Sequence, residues 1–262
     1  MLYLVDKPTG PSSNQTLSLL RRYFHTKKAG HSGTLDPLAS GLLIVATNGS
    51  TKILPLMKER TKRYEFTLDL SLLSDSLDLG TPTYACDPPI DHIPPIEEIL
   101  RALAKFRGVI QQVPPAYSAI SIDGKRSYSE ARKGNAVEMP SREATVYELE
   151  LTEYAFPKIS LKAHVSSGAY VRSLARDIGA ELGGGGVVTR LGRVGIDDIR
   201  LEPEKMEYLE LHPGELTGIE AITYDRIFPE IGRIDLTKRE FDDISYGHAI
   251  AKRGEFTGER VF

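Results

Sequence analysis

The chain has 262 residues, 40% hydrophobic and 26% charged, with one cysteine and a formal net charge of −3. That composition fits a globular protein of one large domain, with or without a small second one, and excludes collagen-like and disordered classes. A lone Cys86 excludes an internal disulfide and a cysteine-cluster zinc site, and no run of about 18 apolar residues is present to span a membrane. The N-terminus has no basic segment before a long apolar run, so no signal peptide is read there and a cytoplasmic location is expected.

Residues 2–5 read as a short buried strand, and Pro8-Thr9-Gly10-Pro11 as a turn. Ser12 or Ser13 can cap a helix running to about Phe24, and His25 to Asp36 is loop-like. The apolar run 41–46 suits a buried strand, with a short helix after it over 50–57. Residues 63–72 alternate as a half-buried strand, 73–95 are mostly loop, and 96–106 form an amphipathic helix. Residues 111–140 start with prolines, turn at Asp123-Gly124 and end in a short basic helix near Tyr128–Arg132. Strands are predicted over 142–155, 158–166 and 187–196, with a helix from Tyr170 to Leu182 that stops at the glycine run 183–186. Pro213-Gly214 marks a boundary before a small β-rich tail. Long strands with interspersed helices indicate an α+β fold around a largely antiparallel mixed sheet flanked by helices.

Charge is unevenly spread. Residues 1–70 carry ten Lys/Arg against five Asp/Glu, a net of +5, whereas residues 201–262 carry eight against fourteen, a net of −6. The asymmetry suggests a basic face on the N-terminal part of the fold.

The densest motif is Gly30-His31-Ser32-Gly33-Thr34-Leu35-Asp36-Pro37-Leu38-Ala39-Ser40-Gly41. Pro37 restricts Asp36 to extended geometry, and a carboxylate fixed in that way can act as nucleophile or base without moving. A second motif runs from Ser166 through Gly168, Tyr170, Arg172 and Asp177 to Gly179, and sets an arginine early in a helix. Such an arginine can hold a carboxylate in a two-point pair. Lys62-Arg63-Tyr64 supplies an aromatic able to stack on an extruded base, a contact of about 1–3 kcal/mol. No Walker motif, dinucleotide fingerprint or metal-ligand cluster is found, so no cofactor or metal is expected.

Together these strings resemble the TruB family of tRNA pseudouridine synthases, whose catalytic segment reads G-H-[TS]-G-T-L-D-P-L-A-[TS]-G. Further strings carry the resemblance over about residues 1–210. They are Asp6-Lys7-Pro8-Thr9-Gly10-Pro11-Ser12-Ser13, Ser74-Asp75-Ser76-Leu77-Asp78-Leu79-Gly80 (one residue shorter than the family's T-D-T-x-D-x-x-G), Pro114-Pro115-Ala116-Tyr117-Ser118-Ala119, Gly124-Lys125-Arg126-Ser127-Tyr128, and Val187 to Gly195. Ser121 stands where the family commonly has lysine.

The resemblance implies the pseudouridine synthase fold and isomerisation of a uridine at position 55, in the T-loop of tRNA, with base flipping. It makes Asp36 the catalytic carboxylate, Arg172 its partner, and His31, Tyr64, Tyr170 and Leu191 the uridine pocket. Lys7 and Asp75 support that pocket, and Lys125, Arg126, Arg132 and Lys133 contact the RNA backbone from an insertion over 111–140. It further implies a catalytic domain over 1–212 and, over 213–262, a trimmed version of the family's C-terminal RNA-binding (PUA-like) module. The tRNA T-arm is the expected partner, with no membrane, no obligatory protein partner and a monomeric state. Attack at C1′, attack at C6 and removal of the C2′ proton are all open to Asp36. RluA-type synthases carry H-R-L-D where this chain has Gly33-Thr34-Leu35-Asp36, which favours the TruB type.

Overall fold

The computed structural model describes residues 1–118, 121–122, 125–127, 139–212, 215–229, 237–246 and 248. Two compact units divide the chain, Met1–Ala221 and Ile222–Phe262. No helix among the described residues is long and apolar enough to cross a membrane.

The larger unit is built on β1 (Leu2–Lys7), β2 (Ala29–His31), β3 (Ala39–Thr47), β4 (Lys62–Asp69), β5 (Leu72–Ser74), β6 (Thr83–Ala85), β7 (Gly108–Gln112), β8 (Ser121–Ile122), β9 (Lys125–Arg126), β10 (Arg142–Ala155), β11 (Lys158–Val165), β12 (Val187–Ile196), β13 (Ile199–Arg200), β14 (Glu207–His212) and β15 (Glu215–Ile222). Its helices are α1 (Ser13–Tyr23), α2 (Leu54–Lys58), α3 (Ile96–Ala104) and α4 (Val171–Glu181). Eleven strands form one sheet in the order β14-β15-β1-β3-β12-β4-β11-β10-β7, with β2 paired to β3 and β13 to β12. β5–β6 and β8–β9 are separate two-stranded ladders. The β1–β3, β12–β4, β4–β11, β11–β10 and β10–β7 pairs are antiparallel, and β3–β12 is parallel. The mixed sheet flanked by helices is the expected fold class.

Helix α1 begins where the sequence predicted. Ser12 caps it by accepting from the Gln15 amide, and the Gln15 side chain answers the Ser12 N–H, a complete capping box. Leu17 and Leu20 face β1 and β3 in a core of Tyr3, Val5, Leu43 and Val45. A second core joins α3 and α4 to β4, β10 and β11 through Ile99, Leu103, Leu174 and Ile178 against Phe66, Leu68, Leu149, Leu161 and Val165.

Where β3 meets β12, only glycine fits. A Cβ on Gly41 would lie 2.4 Å from the Arg193 carbonyl oxygen, and its φ is +98°. The glycine run after α4 also does more than stop the helix. A Cβ on Gly185 would fall 1.9 Å from the Leu72 carbonyl oxygen, so this run lets the chain pass directly over the β5 edge.

Several elements differ from the sequence reading. The 50–57 helix is a 3₁₀ turn (Asn48–Ile53) leading into α2. The loop over 25–36 contains β2, and β7 precedes the proline-rich segment. At the tail's start β15 joins the large sheet between β14 and β1, with α1 near β14 through a Tyr23 hydroxyl bond to Glu207 (3.3 Å). In the smaller unit, the described elements are the helices α5 (Tyr224–Ile227) and α6 (Lys238–Ser245), not strands. Pro213-Gly214, the Asp123-Gly124 turn and the basic helix expected near Tyr128–Arg132 lie outside the described residues.

Candidate active site

The Asp36 loop is pinned from three sides by the chain's opening segment. The Ser13 hydroxyl accepts from the Leu35 amide (2.8 Å) and donates to the Leu35 carbonyl (3.0 Å). The Gly10 amide donates to the Pro37 carbonyl (2.7 Å). Lys7 is fully buried, and its ammonium donates to the carbonyls of Pro8 (2.8 Å), Pro11 (2.7 Å) and Pro37 (3.4 Å). Lys7 therefore ties the two loops together beneath Asp36 and does not line the cleft. On the far side, Arg193 is 2% exposed and donates to the carbonyls of Leu42 (2.7 Å) and Gly33 (3.1 Å).

Asp36 opens onto a cleft of about 290 Å³ lined by Lys58, Lys62, Tyr64, Tyr170, Leu191 and Arg193, among others. That volume suits one nucleotide and not a duplex, near the lower end for small-ligand sites. Tyr64 and Arg193 are cross-strand neighbours on β4 and β12, and Leu191 sits between Phe66 and Ala39 in the same ladder. Lys62 and Tyr64, two apart on β4, share one sheet face as the strand period requires.

Arg172 stands in the first turn of α4, 4% exposed. Its Nε is 2.9 Å from Asp36 Oδ2. Its other nitrogens donate to the Ser76 carbonyl (2.8 Å) and the Tyr117 carbonyl (2.9 Å), and Nη1 lies 3.7 Å from Asp78 Oδ2. One guanidinium thus joins the Asp36 loop, the 74–80 loop and the segment that opens residues 111–140.

Burial pushes the Asp36 carboxyl above its ordinary value of 3.8. The Arg172 charge and hydrogen bond and the Lys7 charge pull it down without cancelling that rise, and Asp78 adds to it. Arg172 therefore orients Asp36, while burial resists its ionisation. If Asp36 reacts as a carboxylate, activity falls as the pH drops through this raised value. The acid limb of kcat/KM for tRNA is expected to have its midpoint above 3.8, measured by single-turnover assays across acidic buffers in which the protein stays folded. A midpoint at or below 3.8 would contradict this.

His31 lies behind Gly33, whose amide donates to its Nδ1 (3.3 Å), so the neutral ring carries its proton on Nε2. Burial, then Arg193 and Lys58, hold its pKa below the ordinary value. It is not among the residues lining the cleft. Asp75 does not reach the site either. It is exposed, and its Oδ1 accepts from the Tyr84 hydroxyl at 3.5 Å. The backbone turns at Leu77 (φ 63°), and Asp78, not Asp75, faces Arg172. Asp78 is fixed in place by bonds from the Ser76 hydroxyl (2.6 Å) and the Gly80 amide (2.9 Å). Both aspartates stand in the same motif string. Only the positive-φ turn distinguishes them, and a leucine gives no sequence signal for it.

The sequence reading also missed Lys62 and Arg193. Lys62 is buried and donates to the carbonyls of Lys58 (2.6 Å) and Arg60. Burial and the nearby Arg193 lower its pKa to about 8. Two buried hydroxyls in the cleft wall, Ser32 and Ser118, have no hydrogen-bond partner among the described residues. Lys125 and Arg126 form β9 opposite Ser121 and Ile122. Arg132 and Lys133 lie outside the described residues.

A profile described as "TruB family pseudouridylate synthase (N terminal domain)" matches residues 21–171. The chain belongs to the TruB family of pseudouridylate synthases. It is 38% identical over 261 residues to tRNA pseudouridine synthase B of Corynebacterium diphtheriae, covering 97% of this chain and 85% of that one. The same-named protein of Synechococcus sp. is 35% identical over 94% of this chain and 84% of its own. Among solved structures, the chain is similar to one in a Cbf5-Nop10-Gar1 complex, with a TM-score of 0.58 and 27% identity over 76% of this chain and half of that one. Among the described residues, no cluster of His, Cys, Asp and Glu could hold a metal ion.

The TruB-family assignment gives the pinned loop a chemical purpose. Isomerisation of uridine to pseudouridine moves C1′ from N1 to C5 of the same base, with no net redox change. Lys7, Gly10, Ser13 and Arg193 hold the backbone on either side of Asp36, and Arg172 pairs with its carboxylate, so this loop presents a fixed carboxylate to the cleft.

Proposed function

We propose that this TruB-family protein converts the T-loop uridine of tRNA, position 55, to pseudouridine, with Asp36 as the catalytic carboxylate. The observation that carries the reading is the Asp36–Arg172 pair at 2.9 Å in a cationic cleft between Tyr64 and Tyr170. A uridine within a folded RNA loop reaches that cleft only by leaving its stack, at a cost of a few kcal/mol. Tyr64 and Tyr170 offer π-faces for the extruded base, and Lys58, Lys62 and Arg193 supply a field that attracts its phosphates. The relatives' printed name, tRNA pseudouridine synthase B, supports tRNA as the substrate.

In this reading residues 1–212 are the catalytic domain, residues 111–140 grip the RNA, and residues 213–262 are a trimmed RNA-binding module. The protein acts in the cytoplasm as a monomer, with no obligatory partner. Tritium release from tRNA transcripts labelled at uridine C5 tests the reading, because that hydrogen leaves only when C5 joins the sugar. Release is expected from a normal transcript and not from one with cytidine at position 55. Equal release from both would move the target elsewhere in the RNA.

A further inference from the structure

We propose that Gln112 is a positioning residue for the reaction, its carboxamide fixing where the Tyr170 ring stands beside the cleft. The proposal rests on the reading that Tyr170 faces the target nucleotide.

Gln112 ends β7 and is 1% exposed. A carboxamide so deeply buried must satisfy both its donor and its acceptor. It satisfies both on one residue. The Tyr170 amide donates to Gln112 Oε1 (2.8 Å), and Gln112 Nε2 donates to the Tyr170 carbonyl (3.0 Å). A side chain thus reproduces the two-bond exchange of an antiparallel strand pair with a residue 58 positions away.

Tyr170 is the N-cap of α4 and makes no side-chain cap bond of its own. Its carbonyl already accepts the first helical bond from the Leu174 amide (3.0 Å), and Gln112 adds a second donor to that carbonyl and an acceptor for the Tyr170 amide.

The ring is held by the next strand. Arg142 pairs with Gln112 in the β7–β10 ladder. Its guanidinium carbon lies 4.6 Å from the Tyr170 ring centroid, and its Nη2 donates to the Gly168 carbonyl (2.8 Å). Neighbouring bonds continue the clamp: the Ser173 hydroxyl (2.7 Å) and Arg176 Nη2 (3.2 Å) both donate to the Val113 carbonyl. The start of α4, with Tyr170 and Arg172, is therefore bolted to the segment leading into the 111–140 insertion.

Packing alone would be served as well by a methionine, which avoids burying an amide. The polar side chain is the costlier choice, and its return is geometric: displacement of a reacting contact by about 1 Å can cost on the order of 100-fold in rate.

A double-mutant cycle tests the brace, using single-turnover tritium release at saturating tRNA and tRNA binding by filter retention. Gln112→Met is expected to lower the rate about 10- to 100-fold while the Kd for tRNA stays within about threefold. In a Tyr170→Ala background, adding Gln112→Met should cost less than about twofold more, because the ring it positions is gone and Arg172 keeps its own anchors on Asp36 and the Ser76 and Tyr117 carbonyls. Losses that multiply across the cycle would overturn the proposal, as would a silent Gln112→Met beside a damaging Tyr170→Ala. A silent Tyr170→Ala would instead overturn the underlying reading of Tyr170, and the brace with it. Should Gln112→Met fail to fold, Gln112→Glu, which keeps the acceptor for the Tyr170 amide, is put through the same cycle against the same criteria.

Discussion

Asp36→Asn is expected to abolish tritium release, by more than about 10⁴-fold, while tRNA binding stays within a few-fold of wild type. Asparagine keeps the shape and the contact with Arg172 and removes the nucleophile and base. The same change is expected to leave the fold as stable or make it more stable at neutral pH. The folded-state pKa of Asp36 lies above its ordinary value, so the folded protein favours the protonated acid. Its stabilising contribution is present below the unfolded pKa and is lost as the pH rises through the folded one. At pH 7 an ionised Asp36 is a cost, and asparagine, which resembles the neutral acid, removes it. Urea unfolding at pH 7 measures this alongside the activity assay. An Asp36→Asn protein with more than about one hundredth of wild-type turnover would remove Asp36 from the chemistry.

The second large effect belongs to Arg172. Arg172→Lys keeps one positive charge but loses the fork that serves Asp36, the Ser76 carbonyl and the Tyr117 carbonyl together. An ammonium on a shorter reach cannot meet three loops at once. Activity is expected to fall by about 10³-fold, and stability by roughly 1–3 kcal/mol, the usual cost of leaving a buried carbonyl without its donor. The acid limb of the pH profile should also move upward, since Asp36 would keep the repulsion of Asp78 with less compensation. Arg172→Lys within tenfold of wild type in rate, with an unmoved acid limb, would show that the fork is dispensable.

The sequence made much of this site legible because its parts are contiguous motifs. Asp36, Tyr64, Tyr170, Arg172 and Leu191 were each named from local strings, and all line one cleft. What stayed hidden depends on direction. Asp75 and Asp78 differ by three positions in one loop, and the turn at Leu77 decides which points inward. His31 sits next to cleft residues yet lies behind Gly33, held by that amide. Lys7 reads as a surface lysine and is fully buried, because three proline carbonyls solvate it in place of water.

β3 was legible from its apolar run, and β10 and β12 from apolar residues spaced among polar ones over ten residues or more. β2 is three residues long, too short for any period to register, and β7 is a half-polar edge strand that reads as loop. β15 falls in the segment read as an appendage, where composition turns acidic, and β14 was not read as a strand. The pairing of β15 beside β1 is a long-range event that no local window contains.

The parallel pairing of β3 with β12 bears on how the enzyme comes into being. Ala39 to Gly41 must meet Leu191 to Arg193, a separation of about 150 residues along the chain. Closing so large a loop is entropically costly and slow relative to forming local helices and hairpins. The Asp36 loop leads straight into β3, while Leu191 and Arg193 arrive only with β12. A nascent or truncated chain that ends before residue 187 can own the paired β1 and β3, the motif and its aspartate, and still lack the cleft wall that Leu191 and Arg193 supply. Completion of the cleft waits on two strands that lie far apart in the sequence.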